Sequence, residues 1–420
     1  MTVPATSQAS PSSNPIADSA EVDCVIVGGG PAGAILSLLL VRRGVRVALL
    51  EMHKDFDREF RGDTVHPSTL EILDSLGLSD HVHQLGRSKI SGPTLMTTQG
   101  AFSPVALGAL DTKFPYILMV PQKDLLELLA QEASKHSSFR LHMGANVTEL
   151  IEEGGAVRGV RYQSEDGTHE IRAQLVVGAD GRFSHVRALA GFKPVSTSPP
   201  MDILWFRLPH LPTDPDAQGG AFGGLGRGHI VIGLDRGDYW QAGYVILKGS
   251  YQEIRSQGIE GLRRGIVSIE PRLARHVESL TDWRQVSFLN VESSRCLQWS
   301  RPGILIIGDA AHVMSPVGGV GINYAIQDAV VAANILTRPL LEKRVRAQDL
   351  QEVQRRRERP VRFIQSIQTQ MQRRLIGAAL NSEKPLDVPW LVRALLSNRL
   401  IAKIPARIMG YGLTRVHVEN

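Results

Sequence analysis

Only two cysteines occur in 420 residues, Cys24 and Cys296, each inside an apolar, strand-like stretch. So few exclude a disulfide framework and a thiolate metal cluster, and leave both as small core residues. No apolar run is long enough to cross a bilayer. Neither a G-x-S-x-G elbow nor an H-E-x-x-H pair is present, so serine-nucleophile and zinc-protease chemistry both lack their residues. His81 and His83 form a lone i, i+2 pair in what reads as a surface loop, too few ligands for a metal. The first twenty residues are small, polar and Pro/Ser-rich, with neither a basic start nor an apolar stretch. They read as a flexible leader and not as a signal peptide, which places the chain in the cytoplasm. A net charge of +5 would suit nucleic acid, but the excess gathers late, in RRRERPVR (355–362) and around Arg373, Arg374, Arg393, Arg399, Lys403 and Arg407. Solvated helix faces explain it better, so no nucleic-acid partner is expected. The basic, apolar-striped segment 388–412 leaves peripheral membrane contact through the C-terminal helices as a minor alternative.

Glycine, by contrast, is placed with purpose. VDCVIV (22–27) is a short β-branched run suited to a buried parallel strand. GGGPAG follows, and Pro31 to Arg43 reads as a helix with Leu36, Leu39 and Leu40 on one stripe and Gly44 as its stop. Val45 to Leu50 returns as a second strand that ends at Glu51. Gly28, Gly30 and Gly33 thus occupy the positions of G-x-G-x-x-G in a βαβ unit, with the acidic residue where a ribose needs it. Gly28 permits the tight turn, Gly30 lets a pyrophosphate approach the backbone, and Gly33 lets helix and strand pack closely. The helix N-terminus faces the negative charge. A carboxylate at Glu51 takes ribose hydroxyls and repels a 2′-phosphate, which favours FAD or NAD at this site and leaves the two undecided.

The pattern recurs near residue 300, where ILII (304–307) runs into GDAAHVMSP and then into a helix opened by glycines, GGVGINYAIQDAVVAANIL (318–336). Two separated strand-to-helix turns imply a ligand with two polar ends, as FAD has. Asp309 is placed to accept from a ribityl hydroxyl, and the backbone around Gly321 to Asn323 to face the pyrimidine edge of a flavin. His312 falls inside this turn and is expected to shape it. Between the two lies LVVGADGRFSHVR (175–187), a further strand that runs into a glycine turn.

Taken together and in this order, GGGPAG, GADGRFSHVR and GDAAHVMSPVGGVGIN resemble the para-hydroxybenzoate hydroxylase family of single-component FAD monooxygenases, over residues 21 to 340. The resemblance implies that Gly28, Gly30, Gly33 and Glu51 hold adenosine and pyrophosphate, and that Asp180 sits near FAD and the path of the nicotinamide donor. It implies further that Asp309 holds the ribityl chain and that Pro316, Gly319, Gly321 and Asn323 line the flavin ring. Local pattern adds Arg61 as a flavin-contacting arginine, Gln122 on the ribityl chain, and Val147 on a strand whose backbone touches adenine. Beside Arg61, Ser68 and Glu71 have the spacing of a helix capping box. In the family NADPH or NADH reduces the flavin transiently, and dioxygen adds to give a flavin C4a-hydroperoxide that oxygenates an electron-rich carbon. No second dinucleotide fingerprint follows residue 51, which fits a donor with no domain of its own.

The fold implied is α/β: a Rossmann-like FAD-binding domain in pieces (21–95, 115–195 and 298–340), an inserted antiparallel β-sheet substrate domain (96–114 and 196–297), and a C-terminal helical region (341–420). In the inserted layer ILWFRLP, GHIVIGL and YWQAGYVILKG read as strands, DRGD (235–238) as a hairpin turn, and QVSFLNVESSRCLQW as a further strand. Trp205, Arg207, Trp240, Tyr244 and Phe288 are pocket candidates, but alternation fixes only which residues share a face, not which face is the pocket. The expected partners are a hydrophobic aromatic, phenolic or quinone-like compound and dioxygen, with no metal. Nothing in the sequence marks a proton relay, so the catalytic residue is left open. A halogenase, a reductase or saturase of the same fold, and a non-catalytic FAD-binding redox sensor remain alternatives; WFRLP (205–209) lacks the halogenase W-x-W-x-I-P pattern.

Overall fold

A computed structural model describes residues 20–57, 63–97, 100–197, 199–212, 220–226, 228–376 and 390–419. The leader expected over 1–20 falls outside these residues except for Ala20, which opens the first strand. The chain starts with β1 (Ala20–Val27), α1 (Pro31–Arg42) and β2 (Val47–Glu51). Next come α2 (Pro67–Ser75), α3 (Ser79–Leu85), β3 (Pro93–Thr97), β4 (Gly100–Phe102) and α4 (Gln122–Ser134). Strands β5 (Phe139–Met143), β6 (Asn146–Glu153), β7 (Ala156–Ser164) and β8 (Gly167–Gly178) lead to α5 (His185–Leu189). Then follow β9 (Met201–Pro209), β10 (Ala221–Gly226), β11 (His229–Asp235), β12 (Tyr239–Leu247), α6 (Tyr251–Ser256), α7 (Gly258–Ile269) and β13 (Ser287–Leu289). The last elements are β14 (Ser300–Arg301), β15 (Ile304–Ile306), α8 (Gly321–Leu341), α9 (Ala347–Met371), α10 (Trp390–Ser397) and α11 (Arg399–Tyr411).

The larger sheet has the order β14-β15-β8-β1-β2-β5, with β7 and β6 extending from β8. β15, β8, β1, β2 and β5 pair in parallel, so their carboxyl ends lie along one edge. Val22 to Val27 are all buried, as a strand covered on both faces requires. α1 is buried from Ala32 to Val41, because it packs against the sheet, α4 and α8; the single stripe expected for it is in fact buried all round. Its stop is the glycine anticipated: Gly44 N–H donates to Val41 O and Val45 N–H to Leu40 O, the paired bonds of a Schellman cap. That cap uses Val45, so β2 starts only at Val47 and ends on Glu51.

The second sheet, β13-β9-β12-β11-β10-β3-β4, is antiparallel apart from the β10 and β3 pair. DRGD turns the β11–β12 hairpin, with Arg236 N–H bonded to Tyr239 O at 3.0 Å. The segment 285–299 is not one strand but two, β13 and Ser293–Cys296, in different sheets. Between them Asp202 takes the Val291 N–H at 3.1 Å, which turns the chain out of the second sheet. His81 and His83 lie on α3 and not in a loop; His83 is tied to Ser79 O (2.6 Å) and to the Tyr116 hydroxyl (2.7 Å). Cys24 and Cys296 are free and buried, as expected. Among the described residues no helix is long and apolar enough to cross a membrane.

Candidate flavin site

Three glycine turns stand side by side at the carboxyl ends of β1, β8 and β15. Ala179 N–H donates to Val27 O (2.7 Å) and Ile307 N–H to Gly178 O (3.0 Å), which stitches the three strand ends together. At Gly28, φ is +106°, and a methyl built there would overlap the Ala179 carbonyl, so the first and second turns touch. A methyl at Gly33 would overlap the Gly28 carbonyl oxygen, because α1 starts directly against the turn. At Gly30 a methyl would meet nothing within 4 Å. The first turn therefore presents open space in front of the α1 N-terminus, where the helix dipole favours an anion. The third turn joins them: a methyl on Gly308 would lie 3.3 Å from Ala32 Cβ of α1.

Glu51 ends β2 buried beside the first turn, with Oε2 accepting from Gly29 N–H (2.8 Å) and Oε1 from His53 N–H (2.9 Å) and His53 Nδ1 (2.7 Å). These bonds orient the Glu51 carboxylate at the end of β2. Ala145 N–H donates to Glu51 O (2.8 Å), which brings Val147 of β6 to the same end of the sheet. Asp180 braces its own turn: Oδ1 takes the Ser184 hydroxyl (2.5 Å) and Oδ2 the Val186 N–H (2.9 Å). Arg187, from α5, reaches across to Ala310 O at 3.1 Å and so clamps the second motif to the third beside Asp309.

Pro316 and Gly319 bound the short turn Val317–Gly319 that precedes α8, and Gly321 is the first residue of that helix. Thr64 holds this turn, its hydroxyl donating to Gly319 O (2.9 Å). Asn323 is buried; its Oδ1 accepts from His66 N–H (3.0 Å) and from the Thr69 hydroxyl (2.7 Å), while Nδ2 has no partner among the described residues. Gln122 opens α4, and its N–H donates to Asp63 Oδ1 (3.1 Å). Asp63 also pairs with Arg236 of the hairpin turn, which ties the second sheet to the segment leading into α2. Burial pushes the Asp63 carboxyl up and the Arg236 guanidinium down, the directions of a pair held away from water. Arg61 lies outside the described residues.

Ser68 and Glu71 do not form a capping box. His66 is the N-cap of α2, and Glu71 is instead taken by the Tyr411 hydroxyl (2.7 Å), Thr112 (2.7 Å) and Arg415 (2.9 Å). The C-terminal segment thus docks on α2. His66, which sequence reasoning did not single out, donates from Nδ1 to Met409 O (2.8 Å) and is wholly buried. Burial pushes its pKa down to about 4. Its partners lie hundreds of residues along the chain, so no local spacing could have found it.

The second sheet chooses its faces clearly. Leu204, Phe206, Leu208, Val231 and Tyr244 pack on α7, with Trp240 against them. Phe288 opposes Leu204 and stacks on Tyr251 at 4.6 Å. Trp240, Tyr244 and Phe288 therefore point away from the glycine turns and are corrected as pocket candidates. On the opposite face Ile203, Trp205, Leu225, Ile230, Ile232 and Leu289 gather with Val317 of the third turn. Trp205 and Arg207 alternate with Leu204 and Phe206, so they share this face. An apolar wall with half-buried Trp205, Ile232 and Leu289 stands opposite the turn expected to carry a flavin ring.

Known proteins agree with this geometry. A family model described as FAD binding domain matches residues 21–366. The 6-methylpretetramide 4-monooxygenase of Streptomyces rimosus is 35% identical over 341 residues, 80% of this chain and 79% of that protein. The 12-dehydrotetracycline 5-monooxygenase/anhydrotetracycline 6-monooxygenase of Streptomyces rimosus subsp. rimosus is 30% identical over 325 residues, 73% of this chain but only 61% of that protein. The solved p-nitrophenol 4-monooxygenase of Pseudomonas putida DLL-E4 superposes with a TM-score of 0.75 over 92% of this chain and 97% of its own, at 19% identity, which speaks for the fold. The chain belongs to the FAD-binding-domain family and, with these relatives, to the FAD-dependent monooxygenases.

Proposed function

We propose that the protein hydroxylates or epoxidises a hydrophobic aromatic, phenolic or quinone-like compound, with NADH or NADPH as reductant and dioxygen as the oxygen source, in the cytoplasm. The observation that carries this reading is the contact among the three glycine turns, with the open cradle at Gly30 at one end and the apolar wall of Trp205 and Ile232 beyond Val317 at the other. Bound FAD would supply electron transfer and dioxygen activation. The chain's own residues do the rest. Gly28, Gly30, Gly33 and Glu51 bind the adenosine diphosphate half, with the Val147 backbone beside adenine. Asp309 and Gln122 hold the ribityl chain, Arg61 contacts the flavin, and Asp180 lies near FAD and the path of the nicotinamide donor. Pro316, Gly319, Gly321 and Asn323 line the ring. There the positive end of the 21-residue helix α8 stabilises negative charge on the pyrimidine edge.

Around the substrate the sheet wall excludes water, which protects the reactive cofactor and strengthens each polar contact made inside. The names of the relatives, for 6-methylpretetramide, anhydrotetracycline and p-nitrophenol, support an aromatic substrate. The division into flavin, substrate and helical regions given above belongs to the same reading, and the separation of the two largest sheets supports it, with β3 joining the second from Pro93. The test is anaerobic mixing of the FAD-loaded protein with NADH and with NADPH, followed by admission of labelled dioxygen and a panel of phenols. Flavin bleaching and a product heavier by one labelled oxygen atom are expected. A flavin that stays oxidised with both donors and every phenol would point instead to a redox sensor.

Peripheral membrane contact is a lesser part of the proposal. Ala402, Ala406 and Tyr411 of α11 are spent inside the fold, while Leu395 of α10 and Ile404, next to Lys403 in the chain, stay exposed. Co-sedimentation of the full chain with anionic vesicles, lost on Ile404→Ser, would support it.

A further inference from the structure

Asp328 lies on α8 and is fully buried, and no role in cofactor contact falls to it from the reading above. Its Oδ2 accepts from Gly308 N–H (3.0 Å) and from His312 Nε2 (2.6 Å); its Oδ1 accepts from Arg357 Nε (2.6 Å). Gly308 and His312 bracket Asp309. Arg357 comes from α9 and is 1% exposed, with its two terminal nitrogens lacking partners among the described residues and its guanidinium 5.4 Å from the Tyr324 ring. One carboxylate thus ties both ends of the Gly308–His312 turn to two helices. Burial alone would raise the Asp328 carboxyl, but His312 and Arg357 outweigh it and hold it below the usual range.

Burying a charged group this deeply is costly, and a well-packed apolar cluster of the same volume is often as stable. Stability is therefore a poor reason for such a node. Geometry offers a better one. Arg187 grips the carbonyl side of the turn at Ala310 O, and Asp328 grips its N–H side at Gly308, so the backbone that carries Asp309 is fixed from opposite sides. We propose that Asp328, anchored by Arg357, is a positioning residue that holds Asp309 in place for the ribityl chain of FAD.

The proposal rests on the flavin reading and is tested apart from it. Asp328→Asn keeps the shape and one acceptor oxygen for Arg357, but with its amide nitrogen at the Oδ2 position it turns a donor toward Gly308 N–H. FAD and ADP are titrated separately into wild-type and variant apoprotein, and unfolding of each apoprotein is followed. ADP reaches only the Gly30 end, so its affinity should stay at the wild-type value while FAD affinity falls about tenfold or more, the scale of a lost charge-assisted hydrogen bond. In an Asp309→Ala background, Asp328→Asn should weaken FAD no further. Should Asp328→Asn fail to fold, Arg357→Gln carries the same test, with a smaller loss of FAD affinity and none of ADP affinity. Unchanged FAD affinity, or FAD and ADP affinities falling by equal factors, would overturn the positioning role. A wild-type protein that takes up no FAD would instead overturn the flavin reading beneath it.

Discussion

Gly30 and Gly33 sit three residues apart and should answer the same substitution differently. At Gly33 an added methyl has no room against the Gly28 carbonyl, so Gly33→Ala is expected to destabilise the apoprotein and to abolish FAD uptake. At Gly30 the space is open, so Gly30→Ala should leave apoprotein unfolding within about 0.5 kcal/mol of wild type while FAD affinity drops, because the methyl stands where the pyrophosphate must come. Thermal melts and flavin titration of both variants check this; equal melts for the two would contradict it. His66 sets a pH dependence. The imidazole titrates near its ordinary 6.5 in the unfolded chain but at about 4 in the fold. Stability from keeping it neutral is thus complete above pH 6.5 and is lost as pH falls toward 4, by about 3 kcal/mol. His66→Asn, which can still donate to Met409 O, should flatten the stability profile across that interval in denaturant melts. The glycines and Glu51 were legible in the sequence because a dinucleotide turn imposes its residues locally. His66, Asp63 and Asp328 were not, because the partners of His66 and Asp63 lie dozens to hundreds of residues away and nothing in the spacing of the Asp328 node marks it.

Strands β9 to β12 carry the apolar wall, and their alternation was readable without the face that turns toward Val317. The amphipathic helix α7 decides it, since covering one face of the sheet leaves the other to Val317. Trp205→Ala should therefore weaken binding of an aromatic substrate by tenfold or more, about 1.4 kcal/mol or above, with FAD affinity unchanged. Phe288→Ala, on the far face, should leave substrate affinity as it is. Substrate titration monitored through the flavin spectrum separates the two, and a Phe288 effect equal to that of Trp205 would refute the assignment of faces. Ser68 and Glu71 carry a similar lesson. Their spacing is that of a capping box, yet Glu71 is drawn off by Tyr411 and Arg415 as the C-terminal segment folds back over α2. A tertiary ion pair overrode a local preference.

At the scale of the whole molecule, the parallel sheet aligns three strand ends, the chain leaves each through glycine, and the three turns meet, with the apolar face of the second sheet gathered against Val317 of the third. Helix α11 closes back over the start of α2 through Met409 and Tyr411, so residues from both ends of the chain meet there. The parallel order and the flavin turns could be read from strand, glycine and helix in succession; the return of the C-terminus could not, because basic amphipathic helices show no address in their own pattern. The central proposal is that one extended cofactor spans the three turns. Titration of full-length apoprotein with FAD, with and without saturating ADP, tests this most directly. The account predicts one FAD per chain, displaced competitively by ADP from the Gly30 end. Protein that stays colourless, or that holds FAD and ADP at the same time, would contradict it.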